Sequence, residues 1–264
     1  MIVESKCKIC SAEARRFASA TILAKYVVSY FQCERCGFIQ TEEPYWLEEA
    51  YSAAITESDI GIVDRNLRFA RLTRVVIRAL FNPEGRFLDY GGGYGLLVRM
   101  MRDAGYDFWW HDSHCRNVFA KGFDAESRRA DNYELITAFE VFEHLVDPVS
   151  EIQRMLAFGA SILFSTQLIP GKRIDLDRWW YAGLDHGQHV ALYSYQALEG
   201  LAGRVGLRLY SDRRNIHLLT PKRLPSLILR AVGHRSSVWL LGGICRRRSL
   251  LAQDYYALTG KELG

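Results

Sequence analysis

The stretch Phe87-Leu88-Asp89-Tyr90-Gly91-Gly92-Gly93-Tyr94-Gly95 constrains this chain more than any other. Two apolar residues run into an acid, and four glycines follow within five positions. Leu96 to Ala104 then reads as a helix, so the segment is a strand, a glycine turn and a helix start. Glycine permits a sharp turn and close approach of a ligand, because no Cβ intervenes. N–H groups at a helix start have no intrahelical partner and face whatever sits there. The spacing excludes two common cradles. A dinucleotide G-x-G-x-x-G would need glycine where Leu96 or Val98 stands, and a Walker loop would need a lysine that is absent. Phe108-Trp109-Trp110-His111-Asp112 reads as the next strand, ending in an acid. Asp112 lies near the ~20-residue offset at which a carboxylate takes ribose hydroxyls in doubly wound sheets.

Composition excludes little else. At 264 residues, 49% hydrophobic and 24% charged, the chain has the size of one α/β domain with a small addition. No apolar run reaches the length of a membrane span. Met1 to Cys10 has no apolar core flanked like a signal peptide, so a cytoplasmic location is expected. Charge is uneven. From Arg204 to Arg248, eleven basic residues face one acid, Asp212. Such a stretch meets nucleic acid, anionic lipid or a phosphorylated substrate, or is simply a solvated helical face.

Four of six cysteines form two pairs, Cys7-x-x-Cys10 and Cys33-x-x-Cys36. The spacing is that of a zinc ribbon, two knuckles on one ion, with Gly37 supplying a tight turn. Four thiolates close the coordination shell, so Zn2+ here would be structural. A metal offsets the small core of some forty residues. Phe17 to Phe31 suits a short hairpin about Ala24-Lys25. Cys115 and Cys245 stand alone.

The rest of the chain reads as a connector from Pro44 to Ser58 with a local helix at Trp46 to Tyr51, then a helix over Gly61 to Leu80. Strands follow at Glu134 to Phe139, Ala160 to Thr166, Leu207 to Ser211 and Ile216 to Thr220. Helices fall at Val149 to Phe158, after Asp147-Pro148, and at Tyr195 to Val205. Alternating strands and helices imply a parallel sheet, and two late strands joined by a short link imply an antiparallel edge.

Asp-x-Gly-x-Gly-x-Gly at Asp89, Gly91, Gly93 and Gly95 resembles motif I of the class I S-adenosylmethionine (SAM)-dependent methyltransferases. Together with the zinc ribbon, Asp112, the block Ala138 to Pro148, Ser165-Thr166 and Gly187-Gln188-His189, it resembles zinc-ribbon methyltransferases of sugar and surface-polysaccharide biosynthesis. The resemblance covers roughly Cys7 to Thr220. It implies a Rossmann-like, seven-stranded, mostly parallel sheet with an antiparallel edge strand, preceded by a small four-cysteine zinc ribbon. It divides the chain into a ribbon (1–45), a helical connector (46–84), a SAM-binding domain (85–220) and a basic helical tail (221–264). It implies that Gly91, Gly92 and Gly93 hold the methionine part of SAM with Asp89 beneath its amine, and that Asp112 holds the ribose. Tyr90, Gly95 and Ser113 complete the cofactor side. Glu140 would face the sulfonium or the substrate.

Relatives that methylate sugar carbon carry a Glu-His pair in which histidine is the general base. Gln188-His189 stands here, so the orienting glutamate is replaced and O-methylation is open. His189 is the candidate base, or a packing or hydrogen-bonding residue. His144 is expected to be structural, and His186 is a second candidate base. Trp179, Trp180 and Tyr181 could stack on a sugar or nucleobase, or roof the cofactor. The leading expectation is methyl transfer to a sugar, nucleotide-sugar or glycan intermediate. An RNA methyltransferase and a non-catalytic SAM-fold binding protein are the alternatives. Peripheral membrane contact and oligomeric state are open.

Overall fold

A computed structural model describes residues 4–52, 60–125, 132–171 and 174–264. In chain order the strands are β1 (Glu4–Lys6), β2 (Glu13–Ile22), β3 (Tyr26–Cys33), β4 (Ile39–Thr41), β5 (Arg86–Tyr90), β6 (Asp107–His111), β7 (Leu135–Ala138), β8 (Ile162–Ser165), β9 (Ala191–Leu192), β10 (Arg208–Ser211) and β11 (Ile216–Thr220). The helices are α1 (Leu47–Ala50), α2 (Ile62–Leu80), α3 (Leu96–Asp103), α4 (Pro148–Leu156), α5 (Tyr195–Arg204), α6 (Ile228–Val232), α7 (Arg235–Ile244) and α8 (Leu251–Thr259).

Two sheets result. One has the order β1-β2-β3-β4-β9, with each neighbouring pair antiparallel. The other has the order β10-β11-β8-β7-β5-β6, with β5 parallel to both β6 and β7 and β10 antiparallel to β11 at the edge. This is a Rossmann-like mixed sheet of six strands among the described residues, one fewer than the seven expected. Beyond β6 pairing continues only as the single bridge Trp110↔Asp124. The sequence that follows, 126–131, lies outside the described residues. So does 53–59, part of the expected connector.

The chain divides into two compact units. The first comprises Met1–Thr56, Glu140–Arg154 and Phe164–Arg223, and the second Glu57–Phe139, Met155–Leu163 and Leu224–Gly264. In the first, β2 and β3 form a longer hairpin than expected, turning at Leu23 and Ala24, both in the left-handed region. Its inner residues Ile22, Val28 and Tyr30 pack with Ile39, Trp46 and Leu192. The Trp46 indole donates to the Gly187 carbonyl at 2.8 Å, tying α1's approach to the segment that carries His189. Asp147 starts α4 as expected: its carboxylate accepts from the Ser150 N–H and hydroxyl, with Pro148 in the first turn.

In the second unit β5 buries Phe87, Leu88 and Asp89 in succession, as a central parallel strand does. α3 lays Leu97, Val98 and Met101 into the core. The tail is helical and anchored. Arg102 of α3 makes a bidentate bond to Asp254 of α8 at 2.7 and 2.9 Å, and also donates to Asp107 and to the Phe108 carbonyl. The Arg102 and Asp254 side chains are 6% and 3% exposed, so the pair is buried and hydrogen-bonded throughout. Removing one partner of such a pair strands a charge. Asp254→Ala is expected to cost about 3 kcal/mol or more, read as a lower urea midpoint, while Asp64→Ala, whose ion pair with Arg68 is exposed, changes it little.

Candidate functional site

Within the second unit, β5 and β6 run in parallel register to Tyr90↔His111. The glycine bend therefore begins where β6 ends. The Gly91 and Gly92 N–H groups both donate to the His111 carbonyl, at 2.8 and 3.2 Å. Gly93 N–H donates to Asp112 Oδ2 at 2.9 Å, and Gly95 N–H to the Gly92 carbonyl. These amides are committed within the protein, so the bend is not a free anion nest. Its glycines serve shape. Gly91, Gly93 and Gly95 have φ of 68°, 53° and 85°, and a Cβ on Gly92 would lie 2.8 Å from the Trp110 ring. A Cβ on Gly93 would meet nothing, so this face of the bend is open.

Asp112 turns toward that bend. Its Oδ2 takes Gly93 N–H, and its Oδ1 takes the N–H groups of His114 and Cys115 at 2.7 and 2.8 Å. With two acceptor directions per oxygen, one remains. Ser113 is exposed beside it. Asp89 is buried beneath, accepting from Thr137 Oγ1 at 2.6 Å. Burial pushes its carboxyl up to about 7, the Thr137 hydroxyl opposes this, and the Asp112 charge adds to it. The Tyr90 ring packs on His111 and Phe158. Phe69 of α2 and Phe139, just past β7, stack at 4.1 Å and are both half-buried.

The first unit holds the other candidates. Glu140 has φ +55°, a left-handed conformation uncommon for its type. Ser165 holds it there: its Oγ accepts the Glu140 N–H at 2.8 Å and donates to Glu140 Oε1 at 2.5 Å. His189 is crowded by the rings of Tyr181, His144 and His186. Its Nδ1 donates to the Tyr181 carbonyl at 2.7 Å, which leaves the lone pair on Nε2. Burial pushes this imidazole down to about 4. The Gln188 side-chain amide donates to the Ala50 carbonyl, and the Gln188 backbone carbonyl lies 3.1 Å from His144 Nδ1, which the Tyr51 hydroxyl also meets at 3.1 Å. Gln188 N–H donates to His186 Nδ1.

Glu143, within the block Ala138 to Pro148, is fully buried, and neither carboxylate oxygen makes a hydrogen bond of good geometry. Burial pushes it up to about 8 and the Glu140 charge adds to this, while its own backbone N–H and the nearby Tyr181 and Thr166 hydroxyls oppose it. A charged residue between Phe142 and Leu145, both buried, was the available signal. Tyr181 is buried too, so among Trp179, Trp180 and Tyr181 it is Trp180, 78% exposed, that offers a stacking face. A cleft of about 1010 Å³ in this unit is lined by Arg15, Glu34, Arg35, Tyr195, Arg213 and Arg214.

Cys7, Cys10, Cys33 and Cys36 converge, with Sγ–Sγ distances of 3.6 Å (Cys7–Cys36), 3.4 Å (Cys10–Cys33) and 3.7 Å (Cys10–Cys36). These are too long for disulfides and close to the ~3.8 Å edge of a tetrahedron with metal–sulfur bonds of about 2.3 Å. Cys7 is pulled down to about 5, chiefly by the Cys36 thiol and against burial, with the Cys10 and Ile9 N–H groups helping. Gly37 makes the expected turn at φ +71°.

Residues 64–212 match the family described as a methyltransferase domain. No curated protein matches the chain. Among solved structures it is similar to the plantazolicin methyltransferase BpumL (14% identity, 74% of this chain and 86% of that one, TM-score 0.49). It is also similar to the mitomycin 7-O-methyltransferase MmcR (14%, 66% and 59%, TM-score 0.39) and to human N-acetylserotonin methyltransferase (16%, 59% and 52%, TM-score 0.41). The chain spans less than two thirds of the length of the last two.

Asp89 gives a signed prediction. Its carboxyl is raised when folded, so the unfolded chain ionises first and stability falls as pH rises from about 4 to about 7. Asp89→Asn keeps an acceptor for Thr137 without the charge. The variant is expected to match the parent below pH ~4 and to exceed it by a few kcal/mol above pH ~7, measured by urea unfolding across that range.

Proposed function

This chain belongs to the methyltransferase-domain family and is a SAM-dependent methyltransferase, and from that premise we propose that it methylates a sugar, nucleotide-sugar or glycan intermediate by in-line transfer. The observation that carries the cofactor side of this reading is Asp112, turned onto Gly93 at an open bend. Gly91, Gly92 and Gly93 pass along the methionine part, and Asp89 lies under its ammonium. Asp112 has one acceptor direction left, so it takes one ribose hydroxyl and Ser113 stands beside the other. Tyr90 contributes its backbone. When bound, SAM supplies a methyl group on a sulfonium, and its thioether leaves uncharged. What this chain then supplies is chiefly proximity and alignment.

The acceptor side rests on the first unit. Trp180 presents an exposed aromatic face suited to a sugar ring. Four arginines against one glutamate line the 1010 Å³ cleft, which suits the phosphates of a nucleotide-sugar. Glu140, fixed by Ser165, keeps Oε2 for a hydroxyl or for the sulfonium. His189 is neutral at pH 7 and keeps an Nε2 lone pair, but at about 4 it is a weak base for a sugar hydroxyl. We read the four cysteines as a structural Zn2+ site.

Titration calorimetry with SAM tests the cofactor side: the parent binds, and Asp112→Ala binds at least tenfold more weakly. An absence of SAM binding by the parent overturns the reading. A panel of nucleotide-sugars, followed by mass spectrometry for the gain of a methyl group, tests the acceptor. If SAM binds and no carbohydrate is methylated, the acceptor class is wrong. Elemental analysis is expected to find one zinc per chain, lost in Cys33→Ser along with stability.

A further inference from the structure

Glu143, His144 and His189 each offer one ligand atom, and the three atoms lie within 4.8 Å of one another. The carboxylate of Glu143 is fully buried and makes no hydrogen bond of good geometry, with the Tyr181 and Thr166 hydroxyls near enough to ease its charge. A buried carboxylate of that kind is expensive to keep unless something compensates it. Both imidazoles are turned the same way. His144 Nδ1 lies 3.1 Å from both the Gln188 backbone carbonyl and the Tyr51 hydroxyl, and His189 Nδ1 donates to the Tyr181 carbonyl at 2.7 Å. A carbonyl only accepts and a tyrosine hydroxyl can accept as well as donate, so these partners are met with the proton on each Nδ1 and the lone pair on each Nε2. This backbone support of Nδ1 is how metal-binding histidines are oriented. The Glu140 charge adds to the negative field at Glu143.

We propose that Glu143, His144 and His189 bind one divalent transition-metal ion, at a site separate from the four-cysteine cluster. Two neutral imidazoles and one carboxylate suit ions such as Mn2+, Fe2+, Co2+ or Zn2+, and three protein ligands leave coordination positions open. The site stands on its own geometry; its role rests on the methyl-transfer reading. When bound there, the ion would make a coordinated hydroxyl more acidic, as it does metal-bound water. His189 is then a ligand rather than a base, and the Glu-to-Gln change at Gln188 leaves its orientation intact, because the Tyr181 carbonyl sets it.

The test uses the full chain with zinc in the cysteine cluster, washed with a mild chelator, and Mn2+ as probe, followed by electron paramagnetic resonance and thermal denaturation. The parent is expected to bind one Mn2+ per chain beyond the zinc and to gain melting temperature with it. Glu143→Gln, nearly the same shape, is expected to bind Mn2+ at least tenfold more weakly. Without Mn2+ it is expected to be at least as stable as the parent, since it removes a stranded carboxylate. His189→Gln provides a second variant should the first not fold. A parent that binds no Mn2+ at millimolar concentration, or variants that bind it as the parent does, overturns the proposal. SAM binding by the chelator-washed parent is measured alongside, so that loss of the ion site and failure of the cofactor reading are told apart.

Discussion

The second unit is organised by the junction at which β6 ends against the bend after β5. The His111 carbonyl takes the amides of Gly91 and Gly92, and Asp112 takes that of Gly93. A glycine-rich turn is costly for an unfolded chain to order. Here the first three glycine amides of the turn are spent on the end of the neighbouring strand and the acid that follows it, so the bend is held from its side. The same contacts aim Asp112, because one oxygen is fixed on the bend and the other caps its own loop through His114 and Cys115. A register shift of one residue between β5 and β6 would undo all of these at once. The strand pairing, the shape of the open bend and the direction of the acid are therefore one feature.

Most of this frame was legible in the sequence because it is local. The strand, the four glycines and the acid at the end of the next strand are separated by short stretches, and their residue types allow few conformations. The four cysteines were legible for the same reason, since each pair spans one turn. What escaped was set by contacts far apart in sequence. That the glycine amides would be occupied depended on the carbonyl of His111, and any residue has a carbonyl. The β2–β3 hairpin turns at Leu23 and Ala24, whose types give no warning of a left-handed bend, and Leu23 N–H is held by the distant Leu184 carbonyl. Among the described residues, pairing outside β6 is the bridge at Asp124, a matter of edge pairing that composition does not settle. Gln188 was legible as a departure from a Glu-His pair, but its actual bond to the Ala50 carbonyl was not.

The buried ionisable groups fall into two kinds. Arg102 and Asp254 are matched atom for atom, with Asp107 and a backbone carbonyl completing the guanidinium. Such a cluster fixes α8 to α3 and is fully explained by that task. Asp89 and Glu143 are different. Asp89 has one hydroxyl for a carboxylate that could accept several donors, and Glu143 makes no hydrogen bond of good geometry. Both are held neutral over a range where an exposed acid would be charged. Under-served acids concentrate where a ligand completes the set. A cationic partner suits both: the ammonium of the cofactor at Asp89, and a metal ion at Glu143.

That contrast bears on the role of His189. A lone histidine base works best when a carboxylate raises its basicity, and here its neighbour in sequence is the uncharged Gln188 while burial weakens His189 further. Read as a base, the residue is poorly equipped. Read as a ligand, the same features are assets: a neutral ring, a lone pair kept on Nε2, and an orientation fixed by a backbone carbonyl that no side-chain substitution removes. The buried carboxylate of Glu143 on the adjoining turn then stands where it can hold a cation beside that ring.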